Sequence, residues 1–152
     1  MEKMALITRL QTQLQALELI LQAPKEALEA HPIPGKWSAR ENLAHIGRFQ
    51  EVTAERLETL PTQDNPTLAS RTPENDPGSA AWMELSLEEI IQRTVAFRPT
   101  LISKVAQLPE TALSQPLVHP AYGPLTLGGL IELFLIHEGH HLFVAMQRSR
   151  GH

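Results

Sequence analysis

The sequence predicts an all-α protein, a four-helix up-and-down bundle, and three observations carry that expectation. Leu10, Leu14, Leu17 and Leu21 recur at helical spacing between glutamines, the pattern of an amphipathic helix. Ser38 and Ser86 each stand three residues before a glutamate, in the order of a capping box that opens a helix. No segment alternates apolar and polar residues as a half-buried strand does, although a short extended piece around Leu117 and Val118 is compatible with the pattern.

The first helix is expected over residues 2–23, with Pro24 at or near its end. The second starts at Ser38-Ala39-Arg40-Glu41 and carries the apolar stripe Leu43, Ile46, Phe49, Leu57 and Leu60. Pro61, Pro66, Pro73, Pro77 and Gly78 punctuate a connection of roughly 25 residues, 61–85, and loops of that length tend to be lids or disordered. The third helix opens at Ser86-Leu87-Glu88-Glu89 and carries Ile90, Ile91, Val95, Leu101, Ile102 and Val105. It should kink at Pro99 and stop before Pro109. A stretch through Tyr122-Gly123-Pro124 leads to Thr126, the expected cap of the fourth helix.

At 152 residues the chain suits one domain over 1–152. With 42% hydrophobic and 20% charged residues and a formal charge of -4, it has no basic field to draw in phosphates, so nucleic acid is not an expected partner. The absence of cysteine excludes disulfides, zinc-thiolate sites and a cysteine nucleophile, and any thiol chemistry would borrow its thiol. Glu2 and Lys3 precede glutamine-rich amphipathic sequence, unlike a secretory signal. The most apolar run is broken by Glu132, Glu138 and three histidines, unlike a membrane span. A cytoplasmic protein acting on a small molecule is expected.

The run His137-Glu138-Gly139-His140-His141 is the densest chemical signal. His137 and His141 sit at i and i+4, one above the other on a helix face, where they can grip one metal ion. The string also satisfies H-E-x-x-H, but that protease motif needs a third ligand. Residues 142–152 contain no acidic residue, and Val144 and Gln147 stand where the extended motif requires Gly and His. His45 on the second helix is the ligand available from elsewhere. It lies seven residues after Ser38, and His137 lies eleven after Thr126; at about 1.5 Å per residue the two share a depth if their helices run parallel.

Pro34-Gly35-Lys36-Trp37-Ser38, the spacing from Trp37 to His45, the entry from Gly123 to Thr126 and the His137/His141 pair resemble the DinB/YfiT-like family of metalloenzymes. That resemblance implies a four-helix bundle, commonly dimeric, with a divalent metal held by His45, His137 and His141. All-nitrogen ligation suits zinc, nickel, copper or iron, with zinc or nickel placed first, and disfavours calcium and magnesium. Relatives of this fold include thiol-dependent S-transferases and a thiol-dependent isomerase. The resemblance therefore implies a metal-dependent transferase using a low-molecular-weight thiol, with residues 61–85 forming part of the substrate pocket. The alternatives are a hydrolase that uses metal-activated water with Glu138 as base, or a non-catalytic stress-response module whose histidines are structural.

The other singled-out residues have plainer expectations. Glu138 is by default a solvated helix residue, and Glu41 caps its helix or orients the His45 ring. His140 lies off the shared face, as a surface, pocket-rim or interface residue; His31, His119 and His152 lack partners in the sequence. Trp37 reads as a plug at the start of the second helix and Trp82 as an anchor for the long connection. Arg48, Glu51, Glu55 and Arg56 read as a solvated face with local pairs. A homodimer is expected from the resemblance and from Leu6, Ile7, Leu19 and Ile20, which widen the first helix's apolar stripe.

Overall fold

The computed structural model describes residues 2–152. Four helical arms form a bundle. The first is α1 (Lys3–Thr12), a 3₁₀ turn (Gln13–Gln15) and α2 (Ala16–Ile20); a short α3 (Lys25–Glu29) follows. The second arm is α4 (Ala39–Thr59), the third α6 (Leu87–Gln107) and the fourth α7 (Leu127–Ser149), with α5 (Pro77–Met83) lying in the connection between α4 and α6. A hairpin of β1 (Pro116–His119) and β2 (Gly123–Thr126), paired antiparallel, joins α6 to α7. The short extended piece at Leu117 and Val118 is thus one strand of a hairpin, whose turn is helped by Gly123 at φ 73°.

The helices begin where their caps direct. The Ser38, Ser86 and Thr126 hydroxyls accept from the amides of Glu41, Glu89 and Gly129, and at Ser86 the Glu89 carboxylate returns to complete the box. At Ser38 the box is half formed, because the Glu41 carboxylate instead meets His31 Nε2 at 2.6 Å. Residues 2–23 are less regular than expected. Arg98 Nη1 donates to the Leu10 carbonyl at 3.1 Å, the acceptor that the Leu14 amide would use in an α-helix, and the chain tightens into the 3₁₀ turn there. The third arm runs on through Pro99. Pro99 and the Val95 carbonyl it leaves without a helical donor lie on an exposed stretch, where water can serve that oxygen.

The bundle has two apolar ends. Leu6, Leu10, Leu57, Leu101, Val105, Ile131 and Phe134 share one, and Leu17, Ile20, Leu43, Ile90, Leu142 and Ala145 share the other. The first and fourth arms therefore run one way, and the second and third the other. The order is up, down, down, up, where simple alternation was expected. Side-chain pairs agree. Gln50 meets Thr94 and Glu58 meets Lys104, so α4 and α6 advance together. Asn42 meets His141 while Phe49 stacks on Phe134, so α4 and α7 run antiparallel, opposite to the parallel course on which the depth argument rested.

The cause is the 61–85 connection, which is neither loose nor a simple loop. It travels the length of the bundle before α6 begins. The Leu68 amide donates to the Val118 carbonyl, the Val118 amide donates to the Pro66 carbonyl, and Leu68 is buried. Further on, Asp76 takes a two-pronged hydrogen bond from Arg48 (2.8 and 3.0 Å), and Trp82 is buried with its indole N–H donating to Glu51 Oε2 at 3.2 Å. Arg48 and Glu51 are therefore anchors for this segment, not part of a solvated face. The Arg48 guanidinium holds the Asp76 carboxyl down at about 2, and Asp76 in turn raises Arg48. Trp82 can approach α4 because Gly47 has no Cβ; one built there would lie 2.4 Å from the indole. Leu6, Ile7 and Ile20 are core residues of the single chain, so of the residues that widened the first stripe only Leu19 is exposed. No described helix is long and apolar enough to cross a membrane.

Candidate metal centre

His45 projects from α4, and His137 and His141 project one turn apart from α7. The three rings converge, with centroids 4.9, 4.5 and 4.6 Å apart, and one nitrogen of each lies within 4.8 Å of the others. The His45 and His137 Nε2 atoms face each other at 3.1 Å. Antiparallel packing brings them together: Asn42 against His141, His45 against His137 and Phe49 against Phe134 form successive rungs between the two helices.

All three imidazoles are held neutral. Burial, reinforced by repulsion from neighbouring imidazoles, pushes His45, His137 and His141 down to about 4 each. At neutral pH their ring nitrogens are thus available as lone-pair donors. Asn42, buried beside them, donates through Nδ2 to the Ser38 carbonyl and accepts at Oδ1 from His141 Nδ1. That commits the proton of His141 to Nδ1 and leaves its Nε2 bare. His137 Nδ1 is buried without a partner. Trp37 and Phe49 wall the triangle, with Trp37 5.1 Å from the His45 ring and Phe49 4.5 Å from the His137 ring. A neutral, all-nitrogen set with the His141 tautomer fixed and no carboxylate matches a borderline divalent transition ion and mismatches calcium or magnesium.

The triangle opens into a cavity of about 620 Å³ lined by Trp37, Phe49, Pro73, His119, Tyr122 and Ile136. Residues 71–73 of the long connection also line it. His119 also reaches it from the hairpin, stacked on Tyr122 at 4.8 Å. Its Nδ1 accepts from the amides of Ala121 and Tyr122 at 3.1 and 3.3 Å, so the neutral ring carries its proton on Nε2. Burial and the nearby Arg56 charge lower the His119 pKa. His140 is exposed at the cavity rim, its ring 5.0 Å from that of His141. His31 pairs with Glu41, which therefore does not orient His45.

Glu138 is the principal correction. It is 0% exposed, paired with Arg98 Nη2 and accepting from Gln13 Nε2 at 2.9 Å. One residue on from His137 is about 100° around the helix, which turns this carboxylate into the core and away from the triangle. Glu138 is therefore neither a solvated residue nor a base for chemistry at the histidines. Asn42 is the residue beside the triangle that sequence reasoning missed; its place three residues before His45, on the same helix face, was the available signal.

A family model described as the DinB superfamily matches residues 8–145. The fold is similar to that of YfiT from Bacillus subtilis, described as a probable metal-dependent hydrolase with an unusual four-helix bundle topology. The TM-score is 0.78 at 17% identity, covering 98% of this chain and 86% of that one. It is also similar to TT2238, a four-helix bundle protein, with a TM-score of 0.69 at 24% identity, covering 94% of this chain and 97% of that one. At these identities the two likenesses show the fold alone. No curated protein matches the chain.

Proposed function

We propose that this chain, which belongs to the DinB superfamily, is a metal-dependent enzyme in which His45, His137 and His141 hold one divalent transition metal, zinc or nickel before iron or copper. The observation that carries this reading is the convergence of three neutral imidazoles, one nitrogen of each within 4.8 Å of the others, at the edge of a cavity of about 620 Å³. When bound, such an ion supplies Lewis acidity at a position the protein leaves open. The chain's own residues do the rest. Asn42 keeps the His141 lone pair turned inward, Trp37 and Phe49 exclude water around the rings, and His119 offers an Nε2–H donor to a substrate.

The reaction we assign is transfer of a low-molecular-weight thiol onto a small electrophile, in a homodimeric cytoplasmic protein. One observation bears on it: the chain has no cysteine, so a thiol nucleophile would have to come from a small molecule. Hydrolysis is the second reading, favoured by the description of YfiT, and it would proceed without Glu138.

The test begins with metal analysis of untagged protein. One ion per chain is expected in the wild type and in His140→Ala, and sharp loss in His45→Ala, His137→Ala and His141→Ala; full occupancy of His45→Ala would sink the assignment. Metal-loaded protein is then incubated with glutathione, bacillithiol, mycothiol or cysteine and monochlorobimane, against His137→Ala. Metal-dependent conjugation supports the transferase, whereas ester hydrolysis with no acceleration by any thiol replaces it with the hydrolase.

A further inference from the structure

His119 differs from the other polar groups around the triangle's cavity because its ring is fixed. The turn between β1 and β2 brings the chain back on itself, so that the Ala121 and Tyr122 amides both donate to His119 Nδ1, while Tyr122 stacks on the ring with planes 27° apart. Two backbone donors on one nitrogen place the proton of the neutral ring on Nε2, at the far edge of the imidazole. Burial and the Arg56 charge lower its pKa, which keeps the ring a neutral donor at neutral pH. No described residue accepts from Nε2, and the atom is not sealed from solvent. The neighbouring polar side chains are held elsewhere or free to turn: Arg71 reaches Glu55 and Asp76, and Thr72 is exposed. The remaining wall is flat and apolar, with Trp37, Phe49, Pro73 and Ile136, and Tyr122 is 66% exposed, which leaves it surface for a second flat group.

We propose that the substrate is a small, flat, apolar carbonyl compound and that His119 binds it by donating from Nε2–H to the carbonyl oxygen. One donor in an otherwise apolar cavity matches a molecule with one strong acceptor, and a carbonyl is also an electrophile. As the electron pair of a nucleophile forms a bond to the carbonyl carbon, the displaced C=O pair comes to rest on the oxygen. A donor already aimed at that oxygen meets the new charge without reorganising. Water takes the proton of the nucleophile and returns one to the product, so His119 keeps its own. The same demand arises whether a thiol or water attacks. This charge-stabilising role rests on the reading of the triangle as the reaction centre; carbonyl binding itself does not.

The experiment titrates acetophenone, isotope-labelled at its carbonyl, into the protein as purified and again after metal removal. Infrared difference spectra follow the carbonyl stretch, and nitrogen NMR follows the His119 ring. The side chain of asparagine can accept from the two turn amides as Nδ1 does but offers no donor beyond, whereas glutamine carries a donor near the place of Nε2. The expected result is a saturable shift of the Nε2 resonance and a carbonyl stretch lower in wild type than in His119→Asn, recovered in His119→Gln. Turnover of carbonyl electrophiles should fall about a hundredfold in His119→Asn, in kcat more than in KM, at unchanged metal content. An identical stretch in wild type and His119→Asn, or an Nε2 resonance that acetophenone leaves in place, overturns the proposal; the resonance is read in wild type and so decides even where a variant folds poorly. A response seen only with the ion bound puts the oxygen on the metal and also overturns it. A response that survives metal removal supports the carbonyl site, and does so even where metal-dependent turnover is absent and the reading of the triangle fails.

Discussion

Asn42 Oδ1 accepts from His141 Nδ1 at 2.8 Å while Asn42 Nδ2 donates to the Ser38 carbonyl at 2.8 Å. One buried amide thus ties the cap of α4 to a candidate metal ligand on α7, and its orientation leaves no freedom in the choice of His141 tautomer. Removing the tie should be felt at the metal. Asn42→Leu is expected to weaken metal affinity by about 10–100-fold in chelator competition, with Asn42→Asp retaining more of it. Unchanged affinity in Asn42→Leu would show that the amide only caps the helix.

Glu138 separates stability from chemistry. Truncating it leaves Arg98 buried without its partner, so Glu138→Ala should lose about 3–5 kcal/mol in denaturant unfolding while folded protein still binds metal. A variant of wild-type stability that is specifically inactive would return Glu138 to the site.

Acid should destabilise the metal-free protein over a defined window. His45, His137 and His141 sit at about 4 in the folded chain against an ordinary 6.5, so the unfolded chain binds protons first. Their contribution is intact above about pH 6.5, is lost as pH falls from there toward 4, and changes no further below it. Unfolding free energy measured across that range should fall less steeply in a triple alanine variant. An identical slope in both proteins would remove the histidines as its cause.

Gly47→Ala tests how the long connection is seated. Its Cβ would lie 2.4 Å from Trp82 and 2.6 Å from Thr94 Oγ1, both packed and buried, so about 1–3 kcal/mol of destabilisation and an altered Trp82 emission are expected. Full stability would mean that the indole moves aside freely.

Local signals reached far in this chain. Ser38, Ser86 and Thr126 mark the starts of three arms because a cap is decided within four residues, and His137 and His141 share a face by helical geometry alone. The direction of the arms was not legible, since it depends on where residues 61–85 travel. That path is held by Leu68 on Val118 and Asp76 on Arg48, contacts between distant residues that no periodicity announces. His45 was chosen correctly to meet the α7 pair through a wrong premise, because antiparallel helices of this length also bring those positions level. The fate of Glu138 was hidden for the same reason: its partner Arg98 lies 40 residues away on α6.

His45 and His137 are 92 positions apart, so the full nitrogen triangle closes only through a long-range contact. While the chain is being made, α4 presents a single imidazole, and the three-nitrogen grip is complete only when α7 has emerged and docked antiparallel against it. An ion with useful affinity therefore selects finished molecules over partly folded ones and stabilises only those, in proportion to the logarithm of its free concentration. Metal uptake during refolding becomes a clock for the last helix, and a chain halted before α7 should pass through the same ion pool without retaining any of it.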